Sequence, residues 1–440
     1  MGFYQACFGG LSALCAGLLV SQPTRRQVVE MKRQNNEQKQ ATRDDSHPEA
    51  QWYKAYSLAI AADWLQGPYL LPLYRDEYSL EPALMFNLYM ADFVSTAIGA
   101  CFVGTLADKY GRKLACMMYC LLYALSCFLT VIPATPLLFV GRVLGGISTS
   151  ILFAAFDSWV VTNFHVLRLG NHGCDLTRTF AATSVVNSLV AILAGVVGEA
   201  LVWATGSKKS PFLMSATLLW FALQTIWSRW AENHGAKASP KSDQATPLRS
   251  PWSVLRQPSV LTLAFVSTMF EGSMNLFVFY WMSILGSLHK PTTTELPYSI
   301  IYSSFMAAAM AGALGYNIVM NKRIARYSQL LIGVLLVANV CFVRLAGSKS
   351  ETTTFWLFCL LQVCAGIYGP CIGYLKAQLI DDQARTSVYS LMRTPLNIVA
   401  ILSMMATKDN RNVGGIFSSC SIMLTAAVAT MWVASLRGMP

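Results

Sequence analysis

The chain has 440 residues, of which 54% are hydrophobic and 12% charged, with a formal net charge of +11 and a mean hydropathy of +0.45. Globular domains carry roughly 25% charged residues, so a water-soluble enzyme and a disordered chain are both excluded. What remains is an all-α polytopic membrane protein, because lipid forces backbone polar groups to pair internally and the apolar runs are too long for barrel strands.

Thirteen apolar runs are long enough to span a bilayer, at roughly 2–20, 53–74, 83–107, 114–132, 136–156, 179–204, 210–230, 259–286, 298–320, 328–346, 353–378, 386–407 and 416–436. The stretch 21–51 holds six basic and five acidic residues. A second polar stretch, 231–258, contains Pro240, Pro247, Pro251 and Pro258 among Ser, Lys and Arg. Such compositions do not bury enough apolar area to pack. The expected organisation is therefore a transmembrane anchor at 1–20, a cytoplasmic linker at 21–51, a six-helix bundle at 52–230, a cytoplasmic interdomain linker at 231–258 and a second six-helix bundle at 259–440. The first run lacks the positive leader of a secretory signal, and its charges, Arg25, Arg26, Lys32 and Arg33, follow it. This pattern favours a retained anchor over a cleaved peptide.

If 21–51 is cytoplasmic, the loops and tail on that side collect about 22 of the basic residues and the opposite loops about 8, as the positive-inside rule requires. The pI near 9.1 is thus a matter of topology, and no nucleic-acid partner is needed. The twelve cysteines lie almost entirely within apolar runs, with no C-x-x-C pair and no accompanying histidine spacing. They read as small buried hydrophobes, so no metal site is expected. There is no Walker motif, and neither a cofactor nor ATP-driven pumping is expected.

Phe93 to Gly104 aligns weakly with Phe305 to Gly315, and Gly146 to Asp157 with Gly366 to Lys376. Two six-helix halves related by an internal repeat are the usual construction of a secondary transporter, with its site near the bilayer midplane. Between the third and fourth runs stands Gly104-Thr105-Leu106-Ala107-Asp108-Lys109-Tyr110-Gly111-Arg112-Lys113. Gly104 permits close helix approach, and Gly111 permits a turn with positive φ. Asp108 can accept hydrogen bonds or face a helix N-terminus, while Arg112 and Lys113 hold the cytoplasmic side.

This decapeptide resembles the gate signature of the major facilitator superfamily. The resemblance implies a cytoplasmic latch built from Gly104, Asp108, Gly111, Arg112 and Lys113. Gly141-Arg142-Val143-Leu144-Gly145-Gly146 is similar to the family's second signature. The Gly-Pro pair of its antiporters is missing, since Gly195 and Gly198 stand without a following proline. Near Gly315 and Asn321-Lys322-Arg323 the second half keeps only a degenerate gate motif. Ala61-Ala62-Asp63-Trp64-Leu65-Gln66-Gly67-Pro68-Tyr69, Gly141 to Ser150, Phe270-Glu271 and Ser303-Ser304-Phe305-Met306-Ala307-Ala308 are similar to the molybdate-anion transporter branch. The likeness runs from about Gln51 onward and implies molybdate uptake at the plasma membrane by alternating access.

Ionisable groups at bilayer depth are costly and therefore candidates for function. Asp63 and Glu271 lie near the middle of corresponding helices and are expected on the substrate and proton pathway, the alternative being hydrogen bonds that set packing. Arg142 offers a guanidinium fork suited to an oxyanion, or else forms a buried ion pair with Asp92 or Glu199. Arg393 is expected either as a second anion contact or as a gate partner of Asp108. Asp157 and Glu199 are placed nearer helix ends, in solvated or capping roles. Trp52, Tyr53, Tyr69, Tyr74, Trp203, Trp227 and Trp230 are expected in interfacial belts. A dianion entering against a negative potential needs compensation, which proton symport through Asp63 or Glu271 would supply. A transporter of another anion or organic solute, or a non-transporting nutrient sensor, stands as the alternative.

Overall fold

The computed structural model describes residues 2–21, 48–166, 176–234, 250–289, 296–322, 324–407 and 413–438. Most of the two linkers lies outside the described residues, as does Arg323. Thirteen long helices are present among those residues: α1 (Phe3–Val20), α2 (Pro48–Pro72), α3 (Pro82–Tyr110), α4 (Arg112–Val131), α5 (Thr135–Val166), α6 (Leu176–Thr205) and α7 (Ser210–Arg229) come first. A five-residue α8 (Pro251–Leu255) then precedes α9 (Pro258–Leu288), α10 (Tyr298–Asn321), α11 (Tyr327–Ala346), α12 (Glu351–Leu379), α13 (Arg385–Thr407) and α14 (Val413–Leu436). Proline stands in the first turn of α3, α7 and α9, where its missing N–H costs nothing.

Ten of the helices are long and apolar enough to cross a membrane. The other three long ones, α2, α7 and α13, are diluted by polar residues. In α2 and α13 these include Asp63, Arg385, Arg393 and Asn397, each held by packing against a neighbour rather than exposed along a lipid face. An inward-facing charge lowers a helix's hydropathy without obstructing its insertion.

Two large apolar clusters organise the chain. One is built from α2 to α7 around Tyr119, Phe156, Phe212 and Leu219, and the other from α9 to α14 around Phe277, Phe305, Phe342 and Phe358. The halves meet where α3 lies on α13 and α6 lies on α10. Helix α1 packs along α10, with Cys15 beside Ala307, Met310 and Ala311, and the Cys15 thiol donates to the Ala307 carbonyl at 3.1 Å.

The expected aromatic belts hold only in part. Trp203 and Trp227 are largely exposed, as belt residues should be, but Trp52, Tyr74 and Trp230 are buried. Trp52 Nε1 donates to the Phe156 carbonyl at 3.1 Å, and Trp230 stacks on Trp159 at 3.9 Å. Proximity to a helix end did not distinguish a lipid interface from the inside of a bundle, because the helices overrun their apolar runs.

Candidate functional site

Two polar assemblies lie where the halves meet. The first is a cavity of about 270 Å³ that takes its walls from both clusters. Tyr56 of α2, Phe153 and Asp157 of α5, and Thr183 and Ser184 of α6 face Glu271 of α9, Tyr368 and Lys376 of α12, and Tyr389 and Arg393 of α13. The Glu271 carboxylate lies 3.7 Å from the Arg393 guanidinium and 3.9 Å from Lys376 Nζ, and accepts a hydrogen bond from the Tyr368 hydroxyl at 3.0 Å. Arg393 is stacked over Phe153 of the opposite half at 3.9 Å, and its Nε is buried without a hydrogen-bond partner. Four charged groups thus share one small space, two of each sign. Contacts of 3.7 to 3.9 Å are longer than good charge-assisted hydrogen bonds, so both cations keep donor capacity for an anion.

Of the residues expected on the pathway, Glu271 and Arg393 reach this cavity. Asp63 and Arg142 do not line it. Asp63 accepts from the Tyr123 hydroxyl at 2.6 Å inside the first half. Arg142 lies 3.9 Å from Asp92 and donates to Thr130 Oγ1 at 3.0 Å. Of the two readings left open for Arg142, the geometry is that of the buried pair with Asp92. Its Nε also lacks a partner, but away from the cavity.

Asp157 was expected in a solvated or capping role near a helix end, yet it lines the cavity between the halves. The apolar run stops at about residue 156, whereas α5 continues to Val166 and puts Asp157 well inside it. Lys376 was overlooked as a site residue. As a lone charge inside an apolar run, it carried the signal that singled out Asp63 and Glu271.

The second assembly surrounds the 104–113 turn. Gly111 has φ 125°, where a side chain would be strained, and so permits the sharp passage from α3 to α4. A Cβ on Gly104 would lie 2.6 Å from Ser387 Cα, so α3 and α13 can touch only because none is there. Asp108 Oδ2 accepts from both Ser387 N and Oγ at 2.8 Å, at the start of α13. Arg112, fully buried, donates to Asp108 Oδ1 at 2.8 Å, to Thr386 Oγ1 at 2.8 Å and to Asp382 Oδ1 at 3.0 Å. Thr162 of α5 and Arg385 of α13 complete the group around the Asp382 carboxylate. Burial raises the Asp382 carboxyl, but Arg112 and Arg385 outweigh it and hold the group below the usual carboxylate range. The turn is thereby fastened to the other half. Arg393, weighed as a partner of Asp108, is instead paired with Glu271, about two helical turns further along α13.

Asp382 and Arg385 were not singled out from the sequence, which offers nothing to pair either with Arg112 some 270 positions away. Lys113 Nζ bonds the Trp227 carbonyl at 3.0 Å, within its own half.

An all-helical chain of two packed six-helix groups, with a charged cavity between them and this turn fastened across the seam, has the architecture of a major facilitator transporter. Residues 3–348 match a family model described as sugar transporters with 12 transmembrane spans, and the chain belongs to that family. It is 31% identical over 387 residues to the molybdate-anion transporter of Xenopus tropicalis, covering 86% of this chain and 83% of the relative. It is 30% identical over 419 residues to that of Takifugu rubripes, covering 86% and 85%.

Among solved structures it resembles the major facilitator transporter FucP in the outward conformation, with a TM-score of 0.69 at 16% identity over 88% of this chain and 98% of that one. The human organic anion transporter MFSD10 gives 0.66 at 14% identity over 88% and 100%. These likenesses establish the fold. The chain is a multi-pass membrane transporter of this superfamily.

Proposed function

We propose that the protein imports molybdate across the plasma membrane by alternating access, with the cavity at Glu271, Lys376 and Arg393 as the anion site. The observation that carries the reading is the pair of cations held on one carboxylate. Relatives named for molybdate-anion transport support the choice of anion. A tetrahedral dianion offers oxygens to both Arg393 and Lys376, and the unpartnered Arg393 Nε gives it a donor that Glu271 leaves unused. Asp157 and Glu271 then lie close to the incoming charge.

With two cations and two carboxylates, the cavity lining is neutral. A bound dianion leaves it two charges negative, and two protons, one on each carboxylate, restore neutrality. That balance removes an electrical cost of about 2.3 kcal/mol per charge per 100 mV. In this scheme protons enter through Glu271 and Asp157, while Asp63 and Arg142 belong to the packing of the first half. The turn at Gly104, Asp108, Gly111, Arg112 and Lys113 is the cytoplasmic gate, fastened while the cavity receives substrate from the other side.

The test is intracellular molybdenum, measured by elemental mass spectrometry in uptake-deficient cells expressing the chain or Arg393→Ala at matched surface levels. Accumulation that the variant abolishes supports the reading. Surface expression without accumulation removes molybdate as substrate.

A further inference from the structure

The N-terminus of α4 lies next to the gate and has no cap of its own. Gly111, at the cap position, supplies no side chain, so the first N–H groups of α4 need partners from elsewhere. They find them in the segment that follows α7. Arg112 N donates to the Asn233 carbonyl at 2.9 Å, Lys113 N to Glu232 Oε1 at 2.8 Å and Leu114 N to Glu232 Oε2 at 3.2 Å. One carboxylate thus satisfies two backbone donors at the positive end of a helix, the arrangement that a side-chain cap normally makes from within the helix.

The segment is fixed from below as well. Trp159 Nε1 of α5 donates to the Ala231 carbonyl at 3.0 Å, Asn233 Nδ2 donates to the Trp159 carbonyl at 3.1 Å, and Trp230 stacks on the Trp159 ring. Trp159 lies between Asp157 of the cavity and Thr162 of the gate on the same helix.

We infer that Glu232 is a positioning residue of the gate, a remote cap that holds the first turn of α4 so that Arg112 points across the seam at Asp382. The inference rests on the gate reading of the preceding subsection. The start of the interdomain segment then becomes a working part of the gate. Without Glu232, Lys113 N and Leu114 N lose their partners, the first turn of α4 frays, and the Arg112 backbone keeps only its bond to the Asn233 carbonyl. The Arg112 side chain, with every one of its contacts formed elsewhere, then loses its aim.

The experiment uses the full chain in vesicles with the gate end outward and a Ser184→Cys reporter in the cavity wall, labelled by a membrane-impermeant thiol reagent. Glu232→Ala is expected to raise labelling about fivefold, the size of losing one helix cap. Glu232→Gln keeps a single acceptor oxygen and should fall between the two. That graded response separates positioning from general destabilisation, which melting of each purified variant records independently. If Glu232→Ala fails to reach the membrane, Glu232→Gln alone carries the test, and unchanged labelling overturns the inference. Arg112→Ala is the control. Should it raise labelling while the Glu232 variants do not, the remote cap is refuted and the gate stands. Should none of them change labelling, the gate reading falls and the cap with it.

Discussion

Glu271 and Arg393 meet at 3.7 Å in the cavity, a residue from α9 and one from α13 brought together with Lys376 of α12. The carboxylate lies farther from both cations than a charge-assisted hydrogen bond, and in the proposed mechanism an incoming oxyanion takes its place. The Arg393 guanidinium also touches Phe153 of the other half, which in the proposed mechanism ties anion binding to the seam between the halves.

Arg393→Lys should therefore lower molybdate uptake about tenfold, because an ammonium lacks the fork that engages two oxygens at once. Arg393→Ala should lower it further. Initial rates over a range of molybdate concentrations check this, and an unchanged apparent KM in Arg393→Lys would put the anion elsewhere.

Glu271→Gln removes one proton acceptor and one competitor for the cations. Molybdate binding should survive in the purified protein, while acid stimulation of uptake is lost. Isothermal titration and uptake at two external pH values separate the effects. Uptake that stays pH-dependent in both Glu271→Gln and Asp157→Asn would exclude these carboxylates as proton carriers.

Arg142→Ala is expected to act on stability rather than on substrate recognition. It leaves the half-buried Asp92 without its cation, which costs about 1–3 kcal/mol. A drop in melting temperature with an unchanged molybdate KM in the surviving protein is the expected result. A selective rise in KM would return Arg142 to the anion site.

The Asp382 carboxyl is held low by Arg112 and Arg385, so its ionised form is favoured in the folded state. Its contribution is complete above the ordinary carboxylate value near 3.9 and is lost as pH falls toward the depressed folded value. The gap in melting temperature between the parent and Asp382→Asn should be widest at neutral pH and close in acid. A gap that does not narrow on acidification would contradict this coupling.

Gly104→Leu should keep α3 from closing on α13, since even a Cβ there meets the backbone at Ser387. Labelling of the cavity from the gate end should rise, and uptake should fall. Normal uptake in this variant would require the seam to rearrange at little cost.

The tight turn at 104–113 was legible because its logic is contiguous. Gly104, Asp108, Gly111 and Arg112 lie within nine positions, and φ 125° at Gly111 meets the expectation drawn from the residue type. Glu271 was legible as a charge in an apolar run. Asp157 was misjudged because hydrophobicity marks the part of a helix in lipid, whereas α5 extends ten residues past its apolar run. Trp52, Tyr74 and Trp230 were misplaced for a related reason: depth along a helix says nothing about which face looks inward.

By itself the sequence determined that the chain lies in a membrane, that it forms long helices and where the tight turn at 104–113 falls. Composition, periodicity and turn chemistry act over a few residues and need no knowledge of distant partners. The tertiary structure decided which charges share a space. Arg112 finds Asp382 across 270 positions, and Lys113 finds the carboxylate of Glu232 across 119. Such pairings depend on how whole helices rotate and approach one another, and close packing of their apolar faces sets that geometry.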